Sequence, residues 1–165
     1  MKSAALLLLP LALAASGCGL RPLYGGGSRG PVAQALRSIA IAPIPGRSGW
    51  LMRTALEDRL GRGGGDSRYR LEVELEDRIQ SFGIRPDNSA TRERRTLRAR
   101  FRLVEVARGT VVLDATAGSD AGIDVVSSEY ATVAAEQTAL ERLSQEVADQ
   151  IVSRVALYAS RTSPQ

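Results

Sequence analysis

The chain has no histidine, a single cysteine and an aromatic fraction of only 4% over its 165 residues. Without an imidazole there is no Ser-His-Asp triad, no histidine general base and no route to most zinc, copper or haem sites, each of which needs that ring. One cysteine cannot close an internal disulfide, and it cannot supply a CxxC redox pair or a thiolate metal cluster. Lysine is almost missing too: Lys2 is the only one, so 21 of the 22 cationic side chains are arginine. That bias accompanies a G+C-rich genome as readily as a function, although guanidinium is the better fork for carboxylates and phosphates. What is present, 44% hydrophobic and 24% charged residues, is the composition and length of one globular domain.

The first residues read as an address. Lys2 precedes an apolar run from Ala4 to Ala14, interrupted by Pro10, and small residues follow. This is a secretory signal layout over 1–17, too short and too broken for a spanning helix. Ala15-Ser16-Gly17-Cys18 resembles the bacterial lipobox, in which the thiol is diacylated and the signal removed in front of it; Ala15 departs from the commoner Leu. An unacylated Cys18 would be a free thiol exposed to oxidation in an exported protein. The expectation is therefore an acylated Cys18 that tethers the chain without spanning, each buried methylene contributing about 0.8 kcal/mol. Gly19 rather than Asp after the cysteine points toward the outer membrane. Residues 18–31, with Gly25-Gly26-Gly27 and Gly30-Pro31, form the tether, and 32–165 form the domain. An exported chain does not meet nucleic acid, so lipid phosphates or an acidic protein wall are the expected partners of its arginines.

Within the domain the spacing predicts a strand over Arg37–Ile44 and a short helix from Ser48 to about Leu60, with Met52, Leu56 and Leu60 on one face. Two long strands follow, Arg68–Gln80 and Arg92–Val106. Odd positions in both are mainly apolar (Leu71, Val73, Leu97, Phe101, Leu103), and even ones are charged. Period two with one wet face is the mark of an antiparallel sheet covered on one side. Phe82–Ala90 would join the two strands, Arg108-Gly109 would turn into a fourth strand, and Ser127-Ser128 would cap a helix reaching about Ala159. The fold class is α+β: a two-layer sandwich with a mainly antiparallel four-stranded sheet and two helices on one face, in the order β-α-β-β-β-α.

The charged face admits two readings. A hairpin register summing to 172 sets Glu72 against Arg100 and Glu74 against Arg98, a solvated face tied by ion pairs worth about 0.2–1 kcal/mol each. Across those two strands, however, arginines at even positions outnumber glutamates, and the excess gathers near the hairpin loop with Arg78, Arg85, Arg92, Arg94 and Arg95. Such a cluster fits a phosphorylated headgroup. No metal or cofactor set is visible beyond acyl chains on Cys18. Glu72, Glu74 and Glu76 sit on one strand face rather than in a cleft, and Ser127-Ser128 has no base beside it, so nothing reads as catalytic.

Two segments carry a resemblance: Cys18-Gly19-Leu20-Arg21-Pro22-Leu23-Tyr24-Gly25 after the lipobox, and Ser128-Glu129-Tyr130-Ala131-Thr132 leading through Ala135-Glu136-Gln137-Thr138-Ala139 into the last helix. With the strand pattern between them, the chain resembles the outer-membrane lipopolysaccharide-assembly lipoproteins of the LptE family, in an alphaproteobacterial form. The resemblance implies a non-enzymatic, lipid-anchored outer-membrane protein that plugs and helps assemble the LptD β-barrel and binds lipopolysaccharide. It also implies lipopolysaccharide contact by basic residues near strand ends, carried over to Arg85, Arg92, Arg94 and Arg95. Two rivals from other classes remain: a transport-auxiliary lipoprotein that binds apolar lipid for an ABC-type system, expected to hold an apolar cavity, and an envelope hydrolase using Ser127 or Glu129.

Overall fold

A computed structural model describes residues 30–61, 67–84, 90–126 and 128–162. The signal, Cys18 and most of the tether, like Arg85 and Ser127, lie outside those residues.

Alternating residues build the sheet. β2 (Tyr69–Ile84), β3 (Ala90–Glu105) and β4 (Thr110–Asp124) form a meander, and β1 (Ile39–Ile41) adds in parallel to the start of β2, giving the order β1-β2-β3-β4. Gly109, at φ +66, makes the turn between β3 and β4, where its N–H donates to the Glu105 carbonyl at 2.8 Å. The helices are α1 (Pro31–Arg37), α2 (Gly46–Leu60) and α3 (Glu129–Thr162). At about 1.5 Å per residue α3 is about 50 Å long, the height of a 16-residue strand at about 3.3 Å per residue, so one helix runs the length of the sheet. Leu71, Leu97, Phe101 and Leu103 from the odd strand positions meet Leu143, Val147, Ile151 and Val155 of α3 in a sealed layer. Arg59 of α2 donates from Nε to Asp149 of α3 at 2.5 Å, tying the helices together. That hydrogen bond is the main reason the Asp149 carboxyl sits below its usual range.

The expected α+β sandwich is present, with four differences. The tether gives way to α1, a helix the sequence pattern did not reveal, which buries Val32 and Leu36. The first strand is three residues rather than the expected Arg37–Ile44, because Pro43 and Pro45 remove backbone donors just past Ile41. The hairpin strands run on to Ile84 and start at Ala90, so the joining loop is shorter than Phe82–Ala90. Finally, the register sums to 174 rather than 172, with Glu72 opposite Arg102, Glu74 opposite Arg100 and Glu76 opposite Arg98. A slip of two keeps every side chain on its face, which is why the facial pattern survives the error.

Ser128 caps α3 as expected, its Oγ accepting from the Ala131 N–H at 3.4 Å. Val133, on the expected apolar stripe of α3, is 43% exposed. At that height Arg95 reaches from the sheet to the helix backbone, so the layer there is polar. Further down, Gln150 of α3 wraps around the outer edge of β4, donating to the Gly118 carbonyl at 3.2 Å and accepting from its N–H at 3.3 Å. A side-chain amide thus takes the place of a neighbouring strand at that point.

Candidate functional site

The face of the sheet away from the helices carries the arginine stripe. Near the base of the hairpin its ion pairs are short: Arg70 to Glu72 at 2.9 Å, Arg102 to Glu74 at 3.0 Å and Arg100 to Asp114 at 2.8 Å. Arg100 is the first cause of the lowered Asp114 carboxyl. Two pairs near the loop end are longer, Arg92 to Asp124 at 3.4 Å and Arg94 to Asp120 at 3.7 Å, with all four side chains more than half exposed, although Arg78 pairs closely with Glu76 and Arg102 reaches Glu72 only at 3.5 Å. Three of these acids, Asp114, Asp120 and Asp124, come from β4. Counting β2 and β3 alone therefore overstates the cationic excess; on the assembled face, arginines and carboxylates nearly cancel. The same period-two count extended to the fourth strand would have found them. Arg98, centred on β3, makes no ion pair among the described residues and lines a shallow groove of about 740 Å³ with Glu74, Glu76, Thr116 and Asp120.

The expected basic residues do not all come together. Arg92 and Arg94 share the open face near the loop end, and Arg94 lies over the ring of Phe82, 5.6 Å from its centroid. Phe82 is 42% exposed, so the loop end offers two loosely held guanidinium groups beside an open aromatic ring. The sequence pattern puts Phe82 at the start of the loop; the signal for its role beside Arg94 is its even position within an alternating strand.

Arg95 points the other way. Its odd position turns it toward the helices, where its fork grips Asp77 (Nε to Oδ1 2.9 Å, Nη2 to Oδ2 2.7 Å) and its Nη1 donates to the Glu136 carbonyl at 2.9 Å. It joins β3, β2 and α3 and is not presented to solvent with Arg92 and Arg94. Beside it, Glu93 accepts from Ser81 Oγ at 3.1 Å, while its Oε2 is buried without a donor among the described residues. Burial first, and then the neighbouring Glu93 charge and a side-chain hydrogen bond to Glu93, push the Glu136 carboxyl above its usual range.

At the base of the molecule a cleft of about 350 Å³ opens among Ile39, Tyr69, Leu103, Val155 and Tyr158. Its two tyrosine rings meet edge to face at 6.3 Å. Among the described residues there is no group of three or more acidic or thiol side chains placed to hold a metal ion, and no helix long and apolar enough to cross a membrane.

No curated protein matches the sequence. A lipoprotein from Caulobacter crescentus CB15 is similar in structure, with TM-score 0.69 and 28% identity over 82% of this chain and 100% of that one. A minor lipoprotein from Acinetobacter baumannii (TM-score 0.55, 16% identity, 76% of this chain and 94% of that one) has the same fold. So does the rare lipoprotein B of Shewanella oneidensis (TM-score 0.52, 11% identity, 74% and 95%). The profile of the lipopolysaccharide-assembly family LptE matches residues 36–155, which takes in the four strands, α2 and most of α3. With that match spanning more than half of its length, the chain belongs to the LptE family of lipopolysaccharide-assembly proteins.

Proposed function

We propose that this protein is an outer-membrane lipoprotein, anchored through acylated Cys18, that seats as a plug inside an LptD-type β-barrel, assists its assembly and contacts lipopolysaccharide with the loop end of its sheet. Family membership supports the assembly role. The observation that carries the contact surface is the trio Arg92, Arg94 and Phe82: two exposed guanidinium groups held by acids at only 3.4 and 3.7 Å, with an open ring beneath one of them. A phosphorylated glycolipid is an anion and an amphiphile at once. Its phosphates can replace Asp120 and Asp124 as bidentate partners, and Phe82 can meet its apolar part. Arg85, which follows Ile84 directly in the sequence, is proposed as a further contact. The rest of the open face, where opposite charges nearly cancel, suits a polar, hydrated lumen wall. Its role is binding and support rather than turnover.

The test is the affinity of the full chain for lipopolysaccharide in wild-type and Arg92→Glu/Arg94→Glu forms. The expected result is a loss of at least ten-fold, growing as salt is lowered, with a cooperative thermal melt retained. Equal affinities would remove these arginines from the contact surface.

A further inference from the structure

The tether is not uniform in composition. Gly25-Gly26-Gly27-Ser28-Arg29-Gly30 has the make-up of a flexible linker, whereas Leu20-Arg21-Pro22-Leu23-Tyr24 before it holds three large apolar side chains, among them one of the four tyrosines of the chain. Side chains of that kind are stabilised by leaving water. The cleft at the base of the domain is placed to receive them. The described residues begin at Gly30, whose carbonyl accepts from the Gln34 N–H at 3.0 Å as α1 starts, and Gln34, Ala35 and Ser38 form one rim of that cleft. Four residues of helix rise about 6 Å, so the chain arrives beside the rim. The walls are apolar: Ile39, Leu103 and Val155 are buried core residues, and the rings of Tyr69 and Tyr158 meet edge to face among them.

We infer that Leu23 and Tyr24 fold back into this cleft and pin the tether to the base of its own domain, leaving Cys18–Pro22 as the link to the membrane anchor. Reach allows it. Leu23 is seven residues ahead of Gly30, a span of up to about 24 Å, and the three consecutive glycines between them accept the backbone conformations that a reversal needs. The cleft of about 350 Å³ has room for the two side chains. A segment held by so short a linker is present at an effective concentration of about a millimolar, so a small apolar contact suffices and a free lipid competes poorly. The consequence for orientation rests on the acylated Cys18 of the proposed function; the docking itself does not. Five residues from Cys18 to Leu23 reach about 18 Å, where twelve from Cys18 to Gly30 would reach about 40 Å. The base is then held against the leaflet that carries the anchor. Arg92, Arg94 and Phe82, at the far end of a sheet about 50 Å tall, face away from it.

The test is photo-crosslinking in membranes of cells that produce the full chain, with p-benzoylphenylalanine at position 24. The α3 wall of the cleft falls in one tryptic peptide, Val155–Arg161, and β1 in another, Ser38–Arg47. Crosslinks from position 24 to these peptides of the same chain are expected. The same probe at Ser28, which is nearer to α1 in the sequence but belongs to the linker, should reach Val155–Arg161 several-fold less. Equal yields from the two positions would mean a tether that samples the base without docking, and adducts from position 24 to a lipid or to another protein in place of its own chain would mean a different occupant; either overturns the proposal. A second measurement needs no probe. Leu23→Ser/Tyr24→Ser, in the full chain purified in detergent, should lower Tm by about 3–5 °C, and an unchanged Tm would contradict the docking. The contact surface at Arg92 and Arg94 is tested separately by lipopolysaccharide affinity, and none of these results bears on it.

Discussion

Replacing Arg95 by alanine removes a side chain that joins β2, β3 and α3 near the loop end. The fork to Asp77 and the bond to the Glu136 carbonyl go together, leaving a carboxylate whose side chain is 20% exposed and a carbonyl without that donor. Breaking a fully buried pair costs about 3–5 kcal/mol. Asp77 lies on a free strand edge that water reaches, which moves the cost toward the range of hydrogen bonds to charged groups, so about 2–3 kcal/mol is expected. For a domain of this size each kcal/mol lowers Tm by about 3–5 °C, giving a drop on the order of 10 °C in a circular dichroism melt. Arg98→Ala, on the open face without an ion pair, should stay within about 0.5 kcal/mol of wild type. Arg95→Leu combined with Asp77→Ala should recover much of the loss, because no bare charge is left behind. If Arg95→Ala melts like Arg98→Ala while losing lipopolysaccharide affinity, Arg95 is a ligand contact and the structural role assigned to it is wrong.

Glu136 gives the pH dependence. Its folded-state pKa is raised, chiefly by burial and then by Glu93, so folding takes up a proton there. The stabilising contribution is fully present below the ordinary glutamate value and is lost as pH rises through the folded value. Glu136→Gln should therefore raise Tm at neutral pH and match wild type near pH 4; melts across that range check it, and an equal Tm at both ends would contradict it. In α2, Gly49→Ala sets two effects against each other. Helix propensity favours alanine by about 1 kcal/mol, but the new Cβ would stand 2.5 Å from the Ile44 carbonyl oxygen, a backbone atom that cannot rotate away. Overpacking of about 1–3 kcal/mol should win, and a rise in Tm would show that the Ile44–Gly46 turn yields instead.

Which parts of this were legible in the sequence follows from what each signal measures. Period two reports which face a side chain is on, so the sandwich, the wet arginine face and the buried row from Leu71 to Leu103 could be read directly. Register was less accessible. Glutamates at 72, 74 and 76 against arginines at 98, 100 and 102 make ion pairs in more than one alignment, and the choice is made by long-range packing. α1 has seven residues, too few for a helical period to show, and owes its place to Val32 and Leu36 meeting the core. Arg95 is a chain neighbour of Arg92 and Arg94, yet its odd position assigns it to the other face. The aspartates of β4 were visible, but only an assembled sheet shows that they neutralise β3.

The central claim is that this fold works as the partner of a barrel. It is tested most directly by affinity purification of the full chain from detergent-solubilised outer membranes. The account predicts co-purification of an LptD-type β-barrel in one-to-one ratio, persisting through a high-salt wash. Recovery of the lipoprotein without any barrel would contradict it and would favour the lipid-carrier alternative, with the cleft beside Tyr69 and Tyr158 as its candidate site.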